Sequence, residues 1–135
     1  MKKLTSTNYS AGAFNVAMLL MRIGFAGLML PHGYDKLVKF ATMKKDFIDF
    51  LGLGPTVSLA MLVFAEFFCS ALLILGLFSR LACIPLIIAM AVALFKAHHG
   101  LIFSEGEHAT LFLVAFSVIL LLGPGKVSVD GMMGK

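Results

Sequence analysis

Charge is scarce in this sequence. Aspartate, glutamate, lysine and arginine together make up 13% of its 135 residues, about half of the roughly 25% usual in soluble domains. With 60% of the residues hydrophobic, a water-soluble fold of this size would expose large apolar patches, which aggregate. The medium around most of the surface must itself be apolar, and lipid meets that requirement. Cysteine is nearly absent. Cys69 and Cys83 lie inside apolar runs with no CxxC spacing, which argues against a disulfide framework or a thioredoxin-like motif and leaves them as small buried hydrophobes. The net charge of +4 is spread over scattered lysines rather than a basic patch with interleaved aromatics, so nucleic acid is not expected as a partner. Haem, iron–sulfur and dinucleotide fingerprints are missing as well, so the sequence carries no redox-cofactor motif of its own. Lys2-Lys3 ahead of an apolar run has the outline of a signal peptide, but Arg22 interrupts the run and no small-x-small cleavage site follows. The stretch reads as a retained first span.

What remains is hydrophobic helix. Apolar segments run over about residues 14–31, 55–77, 81–97 and 109–122, each near the roughly 17–25 residues that cross a bilayer as a helix, the fourth being the shortest. Strict period-two alternation is absent, so barrel strands are excluded and each segment must satisfy its own backbone as a helix. The expectation is an all-α fold, an integral membrane four-helix bundle forming one domain over residues 1–135. Residues 42–51 place Met43, Phe47, Phe50 and Leu51 on one helical face and Lys44, Lys45, Asp46 and Asp49 mostly on the other. That pattern predicts a short interfacial helix between spans one and two, or else a solvated helical turn over the bundle. Gly54-Pro55 then breaks the chain and starts span two. The turn Phe78-Ser79-Arg80 is so short that spans two and three must be antiparallel neighbours. Lysines and arginines fall equally on both sides, but the first flank and the acidic residues on the far side favour both termini in the cytoplasm.

Few polar residues are left to carry chemistry. Arg22 lies midway along span one and Glu66 midway along span two, which predicts similar depth and an intramembrane ion pair between them, because ionised groups in a bilayer face inward and pair. Such a pair would either fix helix register or form the polar floor of a ligand cavity. A second group gathers at the far membrane face: His32, Tyr34, Asp35 and Lys36, then Lys96, His98 and His99, then Glu105, Glu107 and His108. Adjacent histidines point about 100° apart on a helix, and no HExxH-like spacing is present, so no metal site is assigned. The group forms either a polar rim at the headgroups or a pocket for an amphiphile such as a quinone, where imidazole and carboxylate exchange protons with a reducible carbonyl. The candidate ligand-binding residues are Arg22, His32, Glu66, His98 and Glu107. Ala82, Ala89, Ala93 and Ala97 form a small-residue stripe on span three that suits close helix packing.

The runs Arg22-Ile23-Gly24, His32-Gly33-Tyr34-Asp35-Lys36-Leu37, Leu75-Gly76-Leu77-Phe78-Ser79-Arg80-Leu81 after Glu66, Gly106-Glu107-His108, and Gly123-Pro124-Gly125-Lys126-Val127-Ser128-Val129-Asp130 together resemble the DoxX family, from Ala17 to Asp130. The resemblance implies a small four-helix protein of the bacterial inner membrane, of a family related in name to the membrane subunit of an archaeal thiosulfate:quinone oxidoreductase and associated elsewhere with redox and oxidative-stress systems. It implies Arg22, His32, Gly33, Lys36, Glu66, Arg80, Glu107 and Asp130 as motif positions without assigning a reaction. The function expected is a redox-associated membrane subunit that binds a quinone or similar lipophilic molecule. If it is part of an enzyme, it is an accessory subunit of a quinone-linked oxidoreductase. The alternatives are a non-enzymatic scaffold that assembles with a soluble partner or with copies of itself, and a small transporter, against which the missing inverted repeat counts.

Overall fold

A computed structural model describes residues 2–45, 47, 52–97, 103–104 and 106–134. It is all-α. Four helices carry the fold: α1, Ala11–Val38; α2, Pro55–Leu75; α3, Ser79–Lys96; and α4, Glu107–Leu122. The first three are long and apolar enough to cross a membrane. The fourth is apolar but only 16 residues long, about 24 Å of helix.

Each boundary has a local cause. Ser10 caps α1 by accepting from the Ala13 N–H at 3.0 Å, which satisfies one of the donors left open at a helix start. The first span was expected to end at Pro31, yet α1 continues through Pro31 to Val38. Proline removes one N–H from the ladder, and a helix in lipid tolerates this where a neighbouring helix packs on it; α2 lies along this half of α1. Pro55 occupies the first turn of α2 after Gly54 at φ +91°. At the other end Gly76, at φ +73°, stops α2 before the expected Leu77, with Leu77 N–H returning to Leu72 O at 2.9 Å. This is the left-handed glycine stop that an L side chain adopts only with strain. Between α1 and α2 the described residues show one helical turn, Phe40–Met43. Most of the expected interfacial helix over 42–51 lies outside the described residues.

The helices form a closed up-down-up-down bundle. Gly33 of α1 sits on the backbone of Glu66 and Phe67 while Arg22 reaches Leu73, so α1 and α2 are antiparallel. Arg80 at the start of α3 meets Leu121 at the end of α4, and Phe25 packs edge-on against Phe112 to join α1 to α4. The α1–α2 contact is the most extensive, followed by α3–α4. The core holds Met18, Ala26, Met29, Leu73, Leu86, Phe116 and Ile119. Large apolar side chains point outward instead of inward along all four helices, Leu28, Phe68, Leu81 and Leu121 among them. An apolar exterior of this extent is stable against acyl chains and not against water. The protein is a multi-pass helical membrane protein.

Candidate ligand groove

On α1 the residues Arg22, Ala26, Met29, Gly33 and Lys36 follow one another at spacings of four and three, and so share a face. All but Lys36 are fully buried, and Lys36 is partly so. On α2 the matching inward face is Leu59, Val63, Glu66, Ser70 and Leu73, all buried. Two cations on one helix therefore compete for one carboxylate on the other, and register decides between them.

The register is set by Gly33. It has no β-carbon, and one added there would stand 2.5 Å from the Glu66 carbonyl carbon, closer than packed atoms come. This contact draws α1 against α2 so that Lys36, one turn beyond Gly33, lies over Glu66. Lys36 Nζ donates to Glu66 Oε1 at 2.8 Å, with side chains 22% and 5% exposed. Arg22 is eleven residues from Gly33, about 16 Å along the helix, and meets the other end of α2. The expected Arg22–Glu66 ion pair is not formed. The sequence-based placement took each span's midpoint as bilayer depth, whereas α1 extends seven residues past Pro31 and slides relative to α2.

Arg22 instead belongs to a polar knot at the end of the bundle that carries the termini. Its Nη1 donates to Leu73 O at 3.4 Å and its Nη2 to Val127 O. The tail after α4 turns at Gly123 and Gly125, both at positive φ, and folds back as a helical turn, Val129–Met132, capped by Ser128. Asp130 of this turn accepts from the N–H groups of Phe78 and Ser79, both at 2.9 Å. It caps α3 from a distance in sequence, since Phe78 offers no capping side chain of its own and sits at φ +49°. The Asp130 N–H donates to Gly76 O at 2.9 Å. The charge of Asp130 also acts on the Arg22 guanidinium.

Beside the Lys36–Glu66 pair, α2 and α3 diverge and leave a groove of about 810 Å³. It is lined by Val57, Met61, Phe64, Ile88 and Val92, by Pro85 and Phe47, and by four alanines, Ala60, Ala65, Ala89 and Ala93. The alanine stripe on α3 thus divides: Ala82 is buried in helix packing, while Ala89 and Ala93 open onto the groove. Both α2 and α3 widen into π turns here, Phe64–Cys69 and Ala93–Ala97, a distortion that recurs at functional sites.

Of the expected ligand-binding residues, Glu66 lines the groove and Arg22 does not. His32 is exposed and lies edge-on to Phe112, ring centroids 6.4 Å apart, and Glu107 is exposed at the start of α4. Neither lines the groove. His98 lies outside the described residues. Lys36, expected in the polar group at the far membrane face, is the residue that pairs with Glu66, and the signal that places it is its seven-residue spacing from Met29 on the buried face.

The DoxX family model matches residues 17–99, well over half of the chain. The chain belongs to the DoxX family. The matched region holds Arg22, Gly33, Lys36 and Glu66 and ends before the Asp130 turn that completes the polar knot of this DoxX-family protein. No curated protein and no solved structure matches it significantly.

Proposed function

We propose that this DoxX-family protein binds a lipophilic small molecule of the quinone class in the α2–α3 groove, as a membrane subunit of a redox system. The observation that carries the reading is a part-buried ion pair at the edge of a large apolar groove. The volume lies within the roughly 300–1,000 Å³ of ligand sites, which are apolar with a few placed polar groups. Four small alanine side chains leave room for a ring system, Lys36 Nζ offers a hydrogen bond to a carbonyl oxygen, and the Glu66 carboxylate is the acceptor at hand for a hydroxyl proton. A quinone supplies the electron-carrying chemistry for which the chain has no group of its own. Lys36, Glu66 and the apolar lining residues hold and orient such a molecule.

The same proposal puts the protein in a bacterial inner membrane with its termini in the cytoplasm: basic residues are balanced between the two sides, and the Lys2-Lys3 flank of the first span with the acidic residues on the far side favours that orientation.

The test is a melting curve of protein in lipid nanodiscs, with and without a short-tailed benzoquinone. The expected result is a rise in Tm in the wild type that Ala93→Phe, which fills part of the groove, abolishes. An unmoved wild-type Tm overturns the reading in favour of a scaffold subunit.

A further inference from the structure

We infer that the groove selects a lipophile with an uncharged, oxygen-bearing head group and discriminates against anionic and cationic amphiphiles. This rests on the proposed reading that the groove holds a lipophile, and it concerns which head group that molecule carries. Among the described residues that line the groove, Lys36 and Glu66 alone are charged. They lie 2.8 Å apart and cancel, so the polar edge of the groove is neutral as a whole while each member keeps hydrogen-bonding capacity. An ammonium has three donors and a carboxylate about four acceptor positions, and the pair uses one of each. An uncharged head takes up what remains without breaking the pair, its oxygen accepting from Lys36 and any hydroxyl donating to Glu66.

A charged head upsets that neutrality. A fatty-acid carboxylate that takes a remaining Lys36 donor adds an uncompensated negative charge beside Glu66, 5% exposed, in an apolar surround, and one that displaces Glu66 leaves that carboxylate unpaired. An alkylammonium does the converse to Lys36. Removing one partner of a buried pair is strongly unfavourable for this reason. The selectivity therefore resides in the pair's neutrality, and altering one member shifts it: with Glu66 neutralised, Lys36 becomes a free cation at the groove and anionic heads gain a partner.

The chain contains no tryptophan, so Ile88→Trp on the groove wall gives a single indole reporter. Binding of dodecanol, laurate and dodecyltrimethylammonium in phosphatidylcholine nanodiscs is read by their competition with a brominated twelve-carbon alcohol that quenches this indole. In the otherwise wild-type background dodecanol is expected to bind tighter than either charged probe by roughly tenfold or more. Adding Glu66→Gln, nearly isosteric, is expected to raise laurate affinity by roughly tenfold and leave dodecanol within about threefold. Lys36→Met is expected to give laurate no gain. Equal binding of laurate and dodecanol before substitution overturns the inference whatever the variants do, as does a Glu66→Gln protein that folds but gains nothing for laurate. Failure of the brominated alcohol itself to quench the indole overturns the groove reading beneath it.

Discussion

Gly33 and Glu66 touch backbone to backbone across the α1–α2 contact, and a β-carbon on Gly33 would lie 2.5 Å from the Glu66 carbonyl carbon and 2.5 Å from the Phe67 nitrogen. Neither atom is the end of a flexible side chain. Room for even one methyl group has to come from separating the two helices, which also moves Lys36 off Glu66.

Gly33→Ala is therefore expected to lower stability by about 1–3 kcal/mol, the range for overpacking a close contact. Gly24→Ala is the matched control. It lies on the same helix with nothing within 4 Å of its added carbon, so better helix propensity is all that changes, and Tm should hold or rise. Thermal melts of the two variants in one lipid system check this; equal losses would mean that Gly33 does not set the approach.

Asp130 ties the tail to α2 and α3, since it caps α3 and bonds Gly76 O through its own N–H, and its charge acts on Arg22. Asp130→Ala is expected to cost about 2–4 kcal/mol, more than an ordinary helix cap at about 1 kcal/mol, because a buried guanidinium loses its counter-charge as well. Denaturant or thermal unfolding of Asp130→Ala, Arg22→Leu and their double variant measures the coupling. The double variant should fall well short of the sum of the singles. Strict additivity would separate Arg22 from the tail.

Charge exchange distinguishes the two candidate partners of Glu66. Arg22→Glu with Glu66→Arg is expected to fold no better than either single change, since those positions do not meet. Lys36→Glu with Glu66→Lys restores the pair in reverse and should recover part of the loss seen in Glu66→Lys alone. Expression level and monodispersity in detergent suffice as readouts.

Much of this fold is legible in the sequence, because in lipid a spanning segment has few alternatives to a helix. The four helices fall within a few residues of the apolar runs except at Pro31, where tertiary packing carries α1 onward. The groove is harder to read. Ala89 and Ala93 obey the same small-residue pattern as Ala82, and the pattern does not say whether a small side chain admits another helix or leaves a gap. The ion pair was half legible: that Glu66 needs a cation from α1 follows from burial, but the choice of Lys36 over Arg22 depends on axial register. That register is held by a glycine, whose lack of a side chain leaves no periodic signal. The remote cap by Asp130 joins residues 51 and 52 positions apart, which no local motif encodes.

The measurement closest to the central claim is a solid-state NMR distance between labelled glutamate and labelled cation in lipid. Glu66, Glu105 and Glu107 are the only glutamates and Arg22 and Arg80 the only arginines, so selective labelling resolves the question. With glutamate Cδ carrying carbon-13, nitrogen-15 lysine should dephase the Glu66 signal at ion-pair distance, and the effect should vanish in Lys36→Met. Nitrogen-15 arginine should leave it untouched. Dephasing of Glu66 by arginine and not by lysine would contradict the account.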